Sequence, residues 1–288
     1  MRLRLILILL AALIATLVAA ALLAGSTKGK PGAGSRVVAA FYPLAYAAQE
    51  LGGDTVTVSN LTRPGAEPHD LEVSPADVAR VRSAGLVLLL GHGFQPQLER
   101  AARGAGGTVL KLLDTKGLDR FPDGDPHVWL DPLRYALLVE RIGAALHEPA
   151  ATGRLVARLR ALDRAYRAGL ARCDRRELVT SHAAFAYLAQ RYGLDQLAIE
   201  GLNPEAEPAP RDLARVIQAV RAKGATTVYF ETLASPRLAE TVARETGAKT
   251  AVLDPIEGLS PAAVDAGADY FSVMRSNLAH LRAGLGCR

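Results

Sequence analysis

The stretch Ser74-Pro75-Ala76-Asp77-Val78-Ala79-Arg80-Val81-Arg82-Ser83-Ala84-Gly85-Leu86-Val87-Leu88-Leu89-Leu90 decides the fold class. Ser74 is a good helix N-cap and Pro75 suits the first helical position, where its missing N–H costs nothing. Asp77 falls in the first turn, and the spacing predicts a helix to about Ser83. Leu86 to Leu90 is then a continuous apolar run of strand length, the signature of a strand buried on both faces. A helix followed by such a strand is half of the repeating unit of a helix-covered parallel sheet.

Upstream, Val37 to Phe41 reads as a buried strand and Leu44 to Leu51 as a helix stopped by Gly52-Gly53. Thr55 to Leu61 is a second strand, with Val56 and Val58 alternating. Downstream, Thr108 to Leu112 is a fourth. From about Pro149 to Arg172 the strand signal disappears. Leu155, Leu159, Leu162, Tyr166 and Leu170 recur at helical spacing behind Pro149, and at 1.5 Å per residue this helix is about 35 Å long. Alternation then resumes. Strands are expected at Leu178–Ser181, Leu197–Ile199, Thr227–Phe230 and Thr250–Leu253. The helices Ala183–Tyr192, Pro210–Lys223 and Pro236–Thr246 lie between them, ended by Gly193, Gly224 and Gly247. The expectation is an α/β protein of two parallel-sheet lobes joined by a single long helix. Residues 36–148 form the N-terminal lobe, 149–172 the linking helix and 173–288 the C-terminal lobe.

The first 35 residues differ in kind. Arg2 and Arg4 precede an apolar run from Leu5 to Ala24, broken by Thr16 and followed by Gly25, Ser26 and Thr27. A positive start, an apolar middle and small residues at the end describe an export signal over 1–27. At about 20 residues the run is also long enough to stay as a membrane anchor. Either way the remainder is extracytoplasmic, behind a Gly- and Lys-rich tether at 28–35. The chain holds two cysteines, Cys173 and Cys287, too few for a site built mainly on thiolates. An oxidising compartment allows one disulfide between them; the alternative is two unpaired thiols. The formal net charge of +5 sits largely on arginines of helix faces, and aromatics are only 5% of the chain. No basic-aromatic platform for nucleic acid results.

Of the six histidines, three share a setting. His69 follows the second strand in Glu67-Pro68-His69-Asp70. His127 follows the fourth in Asp125-Pro126-His127-Val128-Trp129-Leu130-Asp131-Pro132. His182 ends the first strand of the second half in Thr180-Ser181-His182. Ligands bind at the carboxyl ends of strands in parallel sheets, so two lobes facing each other would bring these three together. Asp254 has the same setting, in Leu253-Asp254-Pro255-Ile256-Glu257-Gly258. Three imidazoles and a carboxylate suit a four-coordinate borderline cation at about 2 Å from each donor, held in the interlobe cleft with two ligands from each lobe. His92, between Gly91 and Gly93 after the third strand, ranks behind these because its neighbours suggest a mobile loop. His147 and His280 sit on expected helices. Trp129 is expected to pack under the site.

These segments resemble the metal-binding proteins of zinc and manganese ABC importers. Glu67-Pro68-His69-Asp70 with Ser74-Pro75 and Asp77 looks like the first signature of that family, and residues 125–132 are similar to the second. Thr180 to Phe185 with Arg191 to Leu194 resembles the third, continued by 201–207, Phe230-Glu231, Ser235-Pro236, Leu253-Asp254-Pro255 and Asp269 to Leu278. The resemblance implies two lobes on one long helix, with little lobe movement, and zinc delivered to a membrane permease by a monomer with no nucleic-acid partner. Carried over by position, the ligands are His69, His127, His182 and Asp254. His182 stands where manganese members tend to have a carboxylate, and imidazole suits zinc. Glu231 is expected to orient His182. Two departures stand out. The segment Asp114 to Asp125 is short and lacks the His-rich loop of many zinc members, and Ser26 replaces the cysteine of lipid-anchored ones. The alternatives are a secreted zinc hydrolase, which keeps one coordination position open for water, and a manganese-binding member of the same family. No His-Glu-x-x-His helix is present.

Overall fold

The computed structural model describes residues 35–121, 123–204 and 208–288. The expected signal or anchor at 1–27 and the tether up to residue 34 lie outside the described residues; Ser35 already opens the first strand. Two four-stranded sheets, each entirely parallel, form the frame. The first contains β1 (Ser35–Ala39), β2 (Val56–Asn60), β3 (Leu86–Leu89) and β4 (Thr108–Lys111) in the order β2-β1-β3-β4. The second contains β5 (Glu177–Thr180), β6 (Asp195–Ala198), β7 (Thr227–Phe230) and β8 (Lys249–Val252) in the order β6-β5-β7-β8. In both sheets the first strand lies between the second and third. The chain therefore winds away in two directions and leaves a crevice at the strands' carboxyl ends.

In the first lobe α1 (Tyr42–Gly52), α2 (Pro75–Ser83) and α3 (Pro96–Ala102) connect the strands. Ser74 caps α2 as its sequence suggests, its hydroxyl accepting from the Asp77 N–H while the Asp77 carboxylate accepts from the Ser74 N–H. Helix α4 (Pro132–Leu146) follows, and His147, expected on a helix, is its left-handed C-cap. Asp131 caps it, accepting from the N–H groups of Leu133 and Arg134 at 2.9 and 3.4 Å. The long helix α5 spans Pro149–Leu170 and packs on α4. Gly143 makes that approach possible, because a Cβ there would lie 1.9 Å from the Thr152 hydroxyl. In the second lobe α6 (Ala186–Tyr192), α7 (Pro210–Lys223), α8 (Arg237–Thr246), the short α9 (Pro261–Asp265) and α10 (Tyr270–Leu285) complete the chain. Among the described residues no helix is long and apolar enough to cross a membrane.

One buried cluster runs through the first lobe, α4, α5 and the inner part of the second lobe. A smaller one, around Val179, Val220, Val228 and Val242, fills the far side of the second sheet. The last helix ties the lobes: the Tyr270 hydroxyl donates to the Trp129 carbonyl at 2.7 Å and the Tyr166 hydroxyl to the Met274 carbonyl at 2.7 Å, all buried. Cys173 and Cys287 form a disulfide across 114 residues of sequence. A loop of that length constrains the unfolded chain and contributes about 2–5 kcal/mol.

Candidate metal centre

His69 follows β2, His127 follows β4 and begins a turn of 3-10 helix over Val128–Leu130, and His182 follows β5. The structure brings these three imidazoles together, with ring centroids 5.6 Å apart for His69–His127, 5.4 Å for His127–His182 and 6.2 Å for His69–His182. A carboxylate stands among them. It belongs to Glu257, whose Oε1 lies 3.1 Å from His69 Nε2, 2.9 Å from His127 Nε2 and 3.6 Å from His182 Nε2. One donor atom from each of the four lies within 4.8 Å of every other. A tetrahedral ion with arms of about 2.0–2.1 Å has donor–donor edges of about 3.3 Å, and the three distances to Oε1 straddle that value.

Asp254 is not part of this group. Its carboxylate is turned to its own loop, accepting from the Thr232 hydroxyl at 2.6 Å and from the Ile256 N–H at 2.7 Å. Its backbone is clasped by Asn277, which accepts from the Asp254 N–H at 2.9 Å and donates to the Asp254 carbonyl at 2.7 Å. The loop then turns at Ile256, whose φ of 57° is left-handed, a conformation that β-branched residues avoid. That turn carries Glu257, fully buried, into the cluster. The carboxylate that stands among the imidazoles is thus not that of Asp254, the expected ligand, but that of Glu257 three positions later.

The histidines are held from behind. His127 Nδ1 lies 2.7 Å from Asp125 Oδ1 and His182 Nδ1 lies 2.8 Å from Glu231 Oε1, so each Nδ1–H is donated to a carboxylate and each Nε2 is aimed at the cluster. Trp129 packs at 5.1 Å from the His127 ring and anchors the floor by donating its Nε1–H to the Pro255 carbonyl at 2.7 Å. The side chains of His127, His182 and Glu257 are fully buried and that of His69 is 9% exposed. His182 Nε2 has no hydrogen-bond partner among the described residues. A buried orphan nitrogen facing three other donors points to a bound cation.

The electrostatics of the ion-free cluster follow from this geometry. Burial works against a charge on His182, but Glu231 and Glu257 outweigh it and hold the imidazole up to about 10. Burial also opposes a charge on His127, and Asp125 and Glu257 again prevail. Glu257 is pushed up by burial and more strongly down by the ring nitrogens of His127, His182 and His69, which leaves it well below the usual carboxylate range. Glu67, two residues before His69, was not singled out from sequence. Its carboxyl approaches Glu231 and Glu257, each offering an oxygen within 4.8 Å of the others. Burial and the Glu257 charge push it up to about 9.

Of the remaining histidines, His92 lies on an exposed loop against Asp114, His147 is the left-handed cap after α4, and His280 on α10 donates Nδ1–H to the Val252 carbonyl.

Comparison with known proteins gives the family and the fold. Residues 37–284 match the family described as zinc-uptake complex component A, periplasmic. The chain is 34% identical to the zinc-binding lipoprotein AdcA of Streptococcus pneumoniae over 94% of its own length and 60% of that protein's. It is 32% identical to the high-affinity zinc uptake system protein ZnuA of Bacillus subtilis, over 90% of this chain and 91% of that one. The Zn(II)-bound ZnuA-like domain of Streptococcus pneumoniae AdcA has a similar structure, with a TM-score of 0.75 and 34% identity over 88% of this chain and 99% of that domain. The chain thus spans about 60% of the AdcA lipoprotein.

Proposed function

The chain belongs to the periplasmic zinc-uptake component A family, and from that premise we propose that it captures zinc outside the cytoplasm and delivers it to an ABC importer. The observation that carries the proposal is the convergence of His69, His127, His182 and Glu257 at tetrahedral spacing in a buried crevice. Two of these donors come from each lobe. Three imidazole nitrogens with one carboxylate oxygen favour zinc over manganese, which prefers oxygen-rich sites. The names of the relatives, zinc-binding lipoprotein and zinc uptake protein, support the same cargo.

The site is a binding site and not a catalytic one on this reading. A zinc hydrolase keeps a position open for water. Here the Glu257 oxygen sits within 3.6 Å of all three imidazoles and takes that position. The partner is a membrane permease, the working form is a monomer, and the apolar segment at 5–24 directs export or anchors the chain. Residues 36–148 and 173–288 act as the two lobes and 149–172 as their link.

Metal analysis of protein purified without added metal, followed by competition titration, tests this. One zinc per chain, resisting a large excess of manganese, is expected. Displacement of zinc by manganese at comparable concentration refutes the cargo assignment.

A further inference from the structure

The cluster holds two of its imidazoles by one device, a carboxylate on one ring nitrogen and the other nitrogen aimed at the ion. His92 repeats that device outside the cluster. Its Nε2 lies 2.7 Å from Asp114 Oδ1. With Nε2–H donated to that carboxylate, Nδ1 keeps a lone pair for a cation. The backbone is bent to place it: His92 has φ 59°, between Gly91 and Gly93, each at φ 85°. A side chain with a β-carbon disfavours that region, and an unstrained loop would put a third glycine there.

The location gives the device a use. His69 is the only histidine of the cluster with an exposed side chain, so an ion reaches the centre past His69. A cavity of about 350 Å³ opens on that side. His69, His92, Phe94 and Pro126 line it from the first lobe, and Leu202 and Asn203 from the second. His92 stands at its rim and is about half exposed, at 45%, as is its partner Asp114, at 49%. A hydrated divalent ion must shed its waters to enter a dry four-coordinate site. One imidazole beside one carboxylate can take the place of the first of those waters without holding the ion firmly.

We propose that His92, aimed by Asp114, is an outer capture point through which zinc reaches and leaves the buried centre. The proposal rests on the zinc-capture reading and adds a kinetic role that the four inner donors do not have. A waypoint lowers the barrier in both directions, so its loss slows association and dissociation together and leaves their ratio unchanged. An inner ligand or a structural prop behaves otherwise: its loss speeds dissociation and weakens affinity.

Trp129 is the only tryptophan in the chain and touches the His127 ring, so its fluorescence reports arrival at the centre. Stopped-flow mixing of the ion-free full chain with zinc gives the association rate, and a chelator chase gives the dissociation rate. In His92→Ala both rates are expected to fall by the same factor, about tenfold for a barrier raised by the loss of one ligand contact, with the dissociation constant unchanged. Asp114→Ala is expected to shift both rates the same way by less. Both side chains are half exposed, so neither change touches the core. Unchanged rates in His92→Ala overturn the proposal, as does faster dissociation with intact association. A parent protein with no saturable zinc response is a separate failure, that of the zinc-capture reading.

Discussion

Lowering the pH is expected to weaken zinc binding well above the range in which ordinary histidines titrate. Zinc requires neutral imidazoles, so every proton it displaces makes the apparent affinity fall about tenfold per pH unit below the pKa of that group. For an unperturbed histidine this begins near pH 6.5. In the ion-free protein Glu231 and Glu257 hold His182 up to about 10 against burial. Its proton is therefore present throughout the neutral range and must leave when zinc binds. Glu257 is held well below the carboxylate range and stays ionised, so it adds no proton competition there. From pH 8.5 to pH 6.5 the loss through His182 alone is about a hundredfold, and His127, also raised, steepens it. The folding stability of the ion-free chain moves the other way. His182 has its pKa raised on folding, so its contribution is fully present below about 6.5, the unfolded value, and is lost as pH rises toward about 10. The zinc-induced rise in melting temperature should therefore widen with pH across this interval. Titration with a competing chelator at several pH values, together with calorimetry in buffers of different ionisation enthalpy, measures both the slope and the protons released. An affinity that is flat between pH 8.5 and 7 refutes the assignment of a protonated His182 in the ion-free centre.

Replacing the two loop carboxylates separates their roles. Glu257→Ala removes the only anionic donor beside the three imidazoles and is expected to cost about 3–5 kcal/mol of zinc binding, the scale of breaking a buried ion pair. Asp254→Ala should lower the melting temperature and weaken zinc less, since it loses a loop bond; if Asp254→Ala abolishes binding while Glu257→Ala leaves it intact, the ligand assignment is wrong. Small-angle scattering is expected to give the same radius of gyration with and without zinc, and a contraction on adding zinc would contradict the rigid pairing of the lobes.

Much of this was legible in the sequence because it depends on local pattern. Ser74-Pro75 marks a helix start, and the run from Leu86 marks a strand buried on both faces. The clustering of the three histidines was legible because each ends or follows a strand, where parallel sheets leave their crevice. Which carboxylate stands beside them was not, because whether Asp254 or Glu257 reaches the cluster depends on the sign of φ at Ile256. No propensity rule assigns a left-handed turn to an isoleucine. Only the contacts that enforce it, from Asp254 to the Ile256 N–H and from Asn277 to Asp254, reveal it. Helix α4 has, in Asp131-Pro132, the same cap-then-proline signal as Ser74-Pro75. Glu67 was invisible for another reason. Its proximity to Glu231 and Glu257 is created by the packing of the two lobes, and no segment of sequence contains it.

The two-lobed centre invites comparison with binding proteins that close over their ligands by swinging, and the energetics here argue against a swing. Bound zinc stabilises the arrangement it joins by about 4 kcal/mol at a thousandfold excess over its dissociation constant. The lobes are already joined without it. Asp131, fully buried at the cap of α4, pairs with Arg191 of α6 at 2.6 Å. Arg134 donates to Gln190 at 2.8 Å, Trp129 donates to the Pro255 carbonyl, and Tyr270 donates to the Trp129 carbonyl. Parting Asp131 from Arg191 leaves the carboxylate paired with Arg134 and capping α4, so this contact is worth about 1.5–3 kcal/mol, the scale of a hydrogen bond to a charged group. The Trp129 and Tyr270 bonds would open in the same movement, each leaving a buried polar group unsatisfied at about 1–3 kcal/mol. Together these contacts are comparable with or larger than what the ion returns. These contacts join the lobes whether or not an ion is bound, which favours an arrangement set by folding. What remains free to move when zinc enters or leaves is the rim at His69 and His92, so the rate of exchange is decided at the mouth and the affinity at the floor.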